Sequence, residues 1–340
     1  MTEIYKSECV KVSGAYQIQI TTTEISAKES NDSVVKISRG GICGSDIHYY
    51  QEGGVGHFSL KHPMILGHEV VGILENKKQA VAVNPSKPCL KCKYCLSGKS
   101  NQCLNMRFFG SAMLNPHVDG GFSQYVAVRN DQIVPYDNRI PSKIMVFAEP
   151  LAVAIHAVNQ AGSLVGKKVL VTGCGPIGSL VVAACKKAGA VEIVASDIQE
   201  SCRNSAIAMG ATSVINPLED QEQYFQDKGY FDVSFEASGA NSAINFAIDA
   251  TKATGTIIQI GMAKGDAAIP ITKFLAKELT YRGAFRFTNE FEVAVRWLEQ
   301  GLINPLPLLS HEFSYQDAEK ALQIASDKSV AIKVQLKFEE

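Results

Sequence analysis

One stretch of about 30 residues limits the fold of this chain more than any other. Lys168 to Thr172 is a short β-branched apolar run, as in a strand buried on both faces. It runs into Gly173-Cys174-Gly175-Pro176-Ile177-Gly178, which opens a helical stretch reaching Lys187. Val191 to Ala195 reads as a second strand, and Asp197 follows it. A lone GxGxxG is a weak signal. Between two strands, with a helix behind it and an acid at this distance, it is the pattern of a dinucleotide-binding unit. The glycines allow a tight turn, close approach of a pyrophosphate and close helix–strand packing. The helix N-terminus attracts the phosphates, and Asp197 can bind the adenosine ribose hydroxyls. The rhythm continues with helices at 201–209 and 243–250 and strands at 213–216, 232–236, 255–261 and 279–283. This predicts a doubly wound parallel sheet.

The chain ahead of this unit has a different character. Residues 8–12, 16–22 and 33–38 read as short strands punctuated by Gly14 and Gly40-Gly41. Cys43 then stands at a strand end, followed by Ser45, Asp46 and His48, and later by Gly67-His68-Glu69. Thiolate, imidazole and carboxylate are the ligands zinc takes most readily, and three protein ligands leave a position open for chemistry. The plain reading of Ser45 is a helix N-cap, and that of His48 a surface histidine. Both lose weight beside His68 and Glu69. His57 and His62, in a glycine-rich loop, read as solvent-facing. Glu149 opens an alanine-rich helical stretch, where the helix dipole favours an acid; the alternative is a carboxylate aimed at the metal site.

Nine cysteines are present, and four of them crowd together as Cys89, Cys92, Cys95 and Cys103. A disulfide framework belongs to small secreted domains. Four thiolates at this spacing can instead close a tetrahedron around one structural zinc; the proline that often follows the last cysteine of an iron–sulfur pattern is absent. Lys87, Lys91, Lys93 and Lys99 near this lobe read as a solvated face. A net charge of −1 gives no electrostatic case for nucleic acid or an anionic membrane. Met1 to Val10 lacks the apolar core of a secretory leader, and no run approaches a membrane span, so a cytoplasmic location is expected.

These residues resemble the zinc-containing medium-chain alcohol dehydrogenases, and among them the polyol (sorbitol-type) branch. The likeness rests on CGSDIHYY (43–50), GHE (67–69), the cysteine lobe, AEPLAVAIHA (148–157), GCGPIG (173–178), FEASG (235–239) and GAFRFTN (283–289). More specific stretches, VNPSKPC (83–89), NQCLNMRFFGSAM (101–113), PHVDGGF (116–122) and GLINPLPLLS (301–310), are similar to a bacterial member acting on a sugar acid. The resemblance implies a GroES-like β-barrel catalytic domain (1–150), a Rossmann cofactor domain (151–285), and a C-terminal segment (286–340) returning to the first. It implies one catalytic and one structural zinc, and NAD or NADP. Cys43 and His68 match catalytic ligands, and Glu69 and Glu149 match two carboxylates sharing the remaining positions. Ser45 and His48 would relay a proton.

The implied reaction oxidises a secondary alcohol of a sugar acid, or alternatively of a polyol such as sorbitol, xylitol or galactitol. A substrate carboxylate calls for a guanidinium. Arg107 is favoured over Arg286, which sits in a motif shared with polyol enzymes; Tyr49 is a further candidate contact. Asp197 argues for NAD, and Arg203 could soften that preference. A homodimer or homotetramer through the edge of the Rossmann sheet is implied. Two departures from the family pattern stand out. Residues 74–81 are shorter than usual, which puts the local barrel geometry in question. Leu90 replaces the usual glycine after the first lobe cysteine, where strain rather than metal loss is expected.

Overall fold

A computed structural model describes residues 3–339 except 28, 220 and 264. The chain forms two compact units: Met1–Glu149, Phe291–Gly301 and Leu309–Glu340 make one, and Pro150–Glu290 with Leu302–Leu308 the other. The second unit thus runs past residue 285, because Glu290 is tied to the helix Ala148–Gln160.

In the second unit six strands form an all-parallel sheet in the order Ser213–Ile215, Glu192–Ser196, Lys168–Thr172, Phe231–Glu236, Thr251–Gln259, Thr280–Gly283. Numbered along the chain this is 3-2-1-4-5-6, the doubly wound Rossmann arrangement. Its topological switch point lies between Lys168–Thr172 and Phe231–Glu236, at their carboxyl ends. Val169, Leu170 and Val171 are fully buried, which is why this strand reads as a continuous apolar run.

The first unit is a GroES-like β-barrel. A seven-stranded sheet is centred on Asp32–Gly41, which pairs antiparallel with Glu69–Leu74, Tyr125–Arg129 and Lys333–Lys337. A three-stranded sheet is centred on Tyr5–Gly14, and one apolar core containing Val10, Val35, Ile37, Val70 and Leu336 joins the two. The short segment 74–81 does not disturb the barrel. Glu69–Leu74 and Gln79–Val83 pair without a break from Val70↔Val83 to Leu74↔Gln79. The turn between them is closed by the Lys78 amide donating to the Leu74 carbonyl at 2.9 Å, with Lys78 at φ 51°. The strand Lys333–Lys337 inserts between Asp32–Gly41 and Leu309–Ser314. It therefore delivers Lys333 to the end of the barrel where Gly41 pairs with Glu69. No helix among the described residues is long and apolar enough to cross a membrane.

Glu290 carries a pH dependence in the second unit. Its Oε1 lies 3.1 Å from His156 Nδ1 and accepts from Asn159 Nδ2 at 3.1 Å, while Oε2 accepts from the Thr288 amide at 2.8 Å. Burial pushes the carboxyl up, but the hydrogen bonds from His156, Thr288 and Asn159 outweigh it and hold the pKa at about 2, against 4.5 ordinarily. A depressed folded-state pKa stabilises above the unfolded value and is lost as pH falls through the folded one. Glu290→Gln is therefore expected to cost on the order of 2 kcal/mol at pH 7. Urea melts should show that deficit shrinking from about pH 5 downward; a deficit unchanged at pH 3 would contradict the assignment.

Candidate active site

Cys43, not Ser45, is the N-cap of the helix Gly44–Glu52. Asp46, at the third helical position, closes a capping box: its Oδ2 accepts from the Cys43 amide at 2.9 Å. Its Oδ1 accepts from the Gly67 amide at 3.0 Å, and the side chain is fully buried. One carboxylate thus pins the two loops that carry Cys43 and His68. Gly67 has φ 90°, and a Cβ there would fall 2.1 Å from the Phe122 ring, so only glycine fits. His68 is buried, with its ring centroid 5.5 Å from that of Phe108.

The Cys43 sulfur, a His68 ring nitrogen and a Glu69 oxygen all lie within 4.8 Å of one another. Ligands about 2.0–2.3 Å from a tetrahedral zinc would stand roughly 3.5 Å apart, so small adjustments close the site. Lys333, also buried, donates from Nζ to Glu69 Oε1 at 2.7 Å and to the Ile42 carbonyl at 3.0 Å. Glu69 Oε2 is close to the same ammonium but receives no hydrogen bond. Gly41 makes this possible, since a Cβ there would meet Glu69 Oε2 at 2.1 Å. Burial, and then the Glu69 charge, push the Cys43 thiol up to about 11. Glu149, buried in the first turn of its helix, is pushed up to about 8 by burial against the pull of His68, with Glu69 and Cys43 adding to the rise. Without a metal the pocket thus gathers more acids than it can ionise. A divalent cation held by Cys43, His68 and a carboxylate is the charge that chemistry fits.

The four sulfurs of Cys89, Cys92, Cys95 and Cys103 also lie within 4.8 Å of one another. Amides of Cys95 and Leu104 aimed at Cys92 lower it to about 6, while burial and its thiol neighbours push Cys95 up to about 12. This closed set suits a structural zinc. Leu90 sits at φ 59° with its side chain 57% exposed, so the expected strain is present. The left-handed conformation costs about 1–2 kcal/mol, and the sulfurs still converge.

Other candidates fall elsewhere. Tyr49 is buried in the barrel core, and its hydroxyl accepts from the Ala112 amide at 2.9 Å. Ser45 and His48 are both half-buried on the Cys43 helix, with His48 Nδ1 3.3 Å from Glu52. His57 is exposed, but His62 stacks on His117 with centroids 4.0 Å apart. Arg107 is exposed on a two-residue strand whose next residue, Phe108, turns inward to His68. Alternation along a strand puts Arg107 on the opposite face, so it does not join the metal cluster. Arg286 lies in the second unit at φ 54°, its guanidinium 4.8 Å from the Phe285 ring centroid. Two residues of the site escaped sequence reasoning. Asp46 carries a local signal, since an acid three residues after Cys43 is a capping-box spacing. Lys333 left one trace, a charge amid an apolar strand.

In the second unit each glycine of the fingerprint has its own reason. Gly173 has φ 81°, and a Cβ would fall 2.7 Å from the Ser238 amide nitrogen. A Cβ on Gly178 would meet the Gly173 carbonyl at 1.8 Å. Gly175 faces open space, the approach a pyrophosphate needs. It caps the helix Pro176–Lys187, which opens with Pro176 and Ile177 and leaves its first amides for phosphate oxygens. Asp197 Oδ2 accepts from the Cys174 amide at 2.7 Å and Oδ1 from the Gln199 amide at 2.8 Å, which fixes the carboxylate beside the glycine turn. Arg203 Nη1 donates to the Asp197 carbonyl at 2.7 Å.

Comparison with known proteins agrees with this geometry. The profile of the alcohol dehydrogenase GroES-like domain matches residues 29–141, and that of the zinc-binding dehydrogenases residues 176–300. The chain is 50% identical to L-idonate 5-dehydrogenase (NAD(P)(+)) of Escherichia coli K12, over 98% of this chain and 99% of that one. The crystal structure of the E. coli L-idonate 5-dehydrogenase superposes with a TM-score of 0.97 at 49% identity, covering 99% of each chain. A probable D-xylulose reductase A of Aspergillus niger is 33% identical over 86% of each chain. The chain therefore belongs to the zinc-binding alcohol dehydrogenase family, enzymes that use NAD(P) on small-molecule alcohols.

Proposed function

We propose that this enzyme oxidises L-idonate to 5-keto-D-gluconate with NAD or NADP as acceptor. What carries the substrate is the end-to-end identity of 50% to the E. coli L-idonate enzyme. The D-xylulose reductases that would favour a polyol stand at 33% or below. Cys43, His68 and Glu69 are the protein ligands we assign to the catalytic zinc, with Glu149 the facing carboxylate; Cys89, Cys92, Cys95 and Cys103 hold the structural one. When bound, zinc supplies Lewis acidity to the alcohol oxygen and the nicotinamide supplies the hydride acceptor.

The chain's own residues orient these groups and move the proton. Asp46 holds the Cys43 and His68 loops, and Lys333 balances Glu69. Ser45 Oγ would accept the proton of the substrate hydroxyl as it gives up its own towards His48, one helical turn on, which hands a proton to solvent. Ser45→Ala is expected to lower kcat at pH 7 by about 10²-fold, with the loss shrinking at alkaline pH where hydroxide replaces the relay. A kcat–pH profile matching wild type would remove Ser45 from this role. A substrate carboxylate calls for a guanidinium; Arg107 is turned away from His68 by the alternation of its strand. Asp197 selects the ribose of NAD, and Arg203 beside it tolerates the 2′-phosphate of NADP. The strand Thr280–Gly283, paired on one side only, is the edge we assign to a homodimer or tetramer. A reducing cytoplasm suits a chain whose nine cysteines form no disulfide among the described residues.

The decisive assay follows NAD(P)H formation by zinc-loaded protein with L-idonate and sorbitol side by side. Turnover of L-idonate well above sorbitol is expected. Turnover of sorbitol alone would leave the family chemistry standing and replace the substrate.

A further inference from the structure

Glu236 is a fully buried carboxylate with no cationic partner among the described residues, at the carboxyl end of the strand Phe231–Glu236 beside the switch point of the parallel sheet. Its oxygens collect donors from the loop 237–240 and from the ends of the two flanking strands. Oε1 accepts from the Ser238 amide at 2.8 Å, the Ser238 hydroxyl at 2.5 Å and the Thr172 hydroxyl at 3.4 Å; the Gly239 amide bridges both oxygens at 3.1 and 3.0 Å. Oε2 also accepts from Gln259 Nε2 at 2.5 Å, which in turn donates to the Gly261 carbonyl at 2.7 Å. Tyr281 donates to Gln259 Oε1 at 2.5 Å, so the network crosses the carboxyl ends of four adjacent strands.

The loops held this way have no slack. A Cβ on Gly173 would meet Ser238, one on Gly239 would fall 2.2 Å from the Met262 carbonyl, and one on Gly261 would fall 2.2 Å from the Gly239 amide. The fingerprint turn, the loop 237–240 and the loop 260–263 are closely packed, and Glu236 accepts from the second through its carboxylate and from the third through its backbone carbonyl, which takes the Ile260 and Gly261 amides at 2.8 and 2.9 Å. A buried carboxylate is costly unless its lone pairs are filled, and here they are filled by the loop 237–240 together with Thr172 and Gln259.

We propose that Glu236 is a positioning residue for the dinucleotide: it accepts from the loop 237–240 directly and reaches the loop 260–263 through Gln259, and so sets the shape of the crevice next to Gly173 and Gly175. The proposal rests on the nicotinamide-cofactor reading. It separates coenzyme binding from catalysis, because the network belongs to the second unit and Cys43, His68 and Glu69 to the first.

The test is direct titration of zinc-loaded enzyme with NADH, followed by fluorescence, in wild type, Glu236→Gln and Gln259→Met. An amide at 236 presents a donor to the Ser238 and Gly239 donors. The NADH Kd is expected to rise at least 10-fold in Glu236→Gln and about 3- to 10-fold in Gln259→Met. At saturating coenzyme, kcat should stay within about threefold and the KM for the alcohol should not move. If Glu236→Gln does not fold, Gln259→Met, which leaves the carboxylate in place, carries the test. A lower melting temperature with an NADH Kd within twofold of wild type in the folded variants would mean a purely structural role and overturn the proposal. Failure of wild type itself to bind NADH would overturn the cofactor reading instead, and is seen before any variant is made.

Discussion

Zinc-free Lys333→Met protein is expected to be less stable than zinc-free wild type by about 3–5 kcal/mol, the usual result of leaving one member of a buried ion pair without its partner. Lys333 and Glu69 are 2% and 1% exposed, and among the described residues the ammonium donates to Glu69 and the Ile42 carbonyl. Methionine keeps the length of the stem, so the loss reports charge rather than a cavity. The double variant Glu69→Gln/Lys333→Met should regain most of the stability, since removing both charges also removes both desolvation costs. Urea melts in chelator measure all three proteins. A Lys333→Met variant within 1 kcal/mol of wild type would show that Glu69 does not need the lysine. Adding zinc separates the two carboxylates. If Glu69 is the ligand, the metal replaces Lys333 as its counter-charge, and zinc should stabilise Lys333→Met by more than it stabilises wild type. If Glu149 is the ligand instead, zinc should leave the deficit in place.

The same pair shows where sequence reading stops. The Rossmann unit was legible because its signals lie within one local stretch: an apolar strand, three glycines with separate steric duties and an acid at the end of the next strand. The cysteine lobe was legible for the same reason, as were Cys43, His68 and Glu69, whose residue types announce their chemistry. Lys333 stands 264 residues from Glu69 and reaches it only because the final strand inserts beside Asp32–Gly41. No local pattern encodes that meeting. Arg107 shows the opposite limit. Its neighbours in sequence were aromatic and promising, but the strand alternates, and it is Phe108 that faces His68. Tyr49 sits within the family segment, yet spends its hydroxyl on the Ala112 amide. A motif thus located the elements that carry the site, while the direction each side chain takes was set by pairing and packing.

Cys103→Ser is expected to take the protein from two zinc ions to one and to unfold the lobe while the barrel stays intact. Beneath the four cysteines the lobe buries only Met106 and Phe108 as large apolar side chains, worth together about 5 kcal/mol. Ordering about 15 residues costs roughly 15 kcal/mol in backbone entropy alone. The deficit of about 10 kcal/mol is of the size that a four-ligand structural zinc supplies. With three thiolates left, the Cys89–Cys103 stretch should lose protection from hydrogen exchange, and the strand pair Ser86–Lys87 with Arg107–Phe108 should fray next. The damage then reaches the candidate site by a defined route: Phe108 leaves its place against the ring of His68, the imidazole we assign to the catalytic zinc. Loss of such support typically costs 10- to 100-fold in metal affinity or activity. Metal analysis, exchange mass spectrometry and kcat/KM should therefore move together, although no catalytic ligand has been changed. A one-zinc variant with a protected lobe would show that the lobe folds without its metal. An exchanging lobe with undiminished activity would show that Phe108 does not carry the coupling to His68.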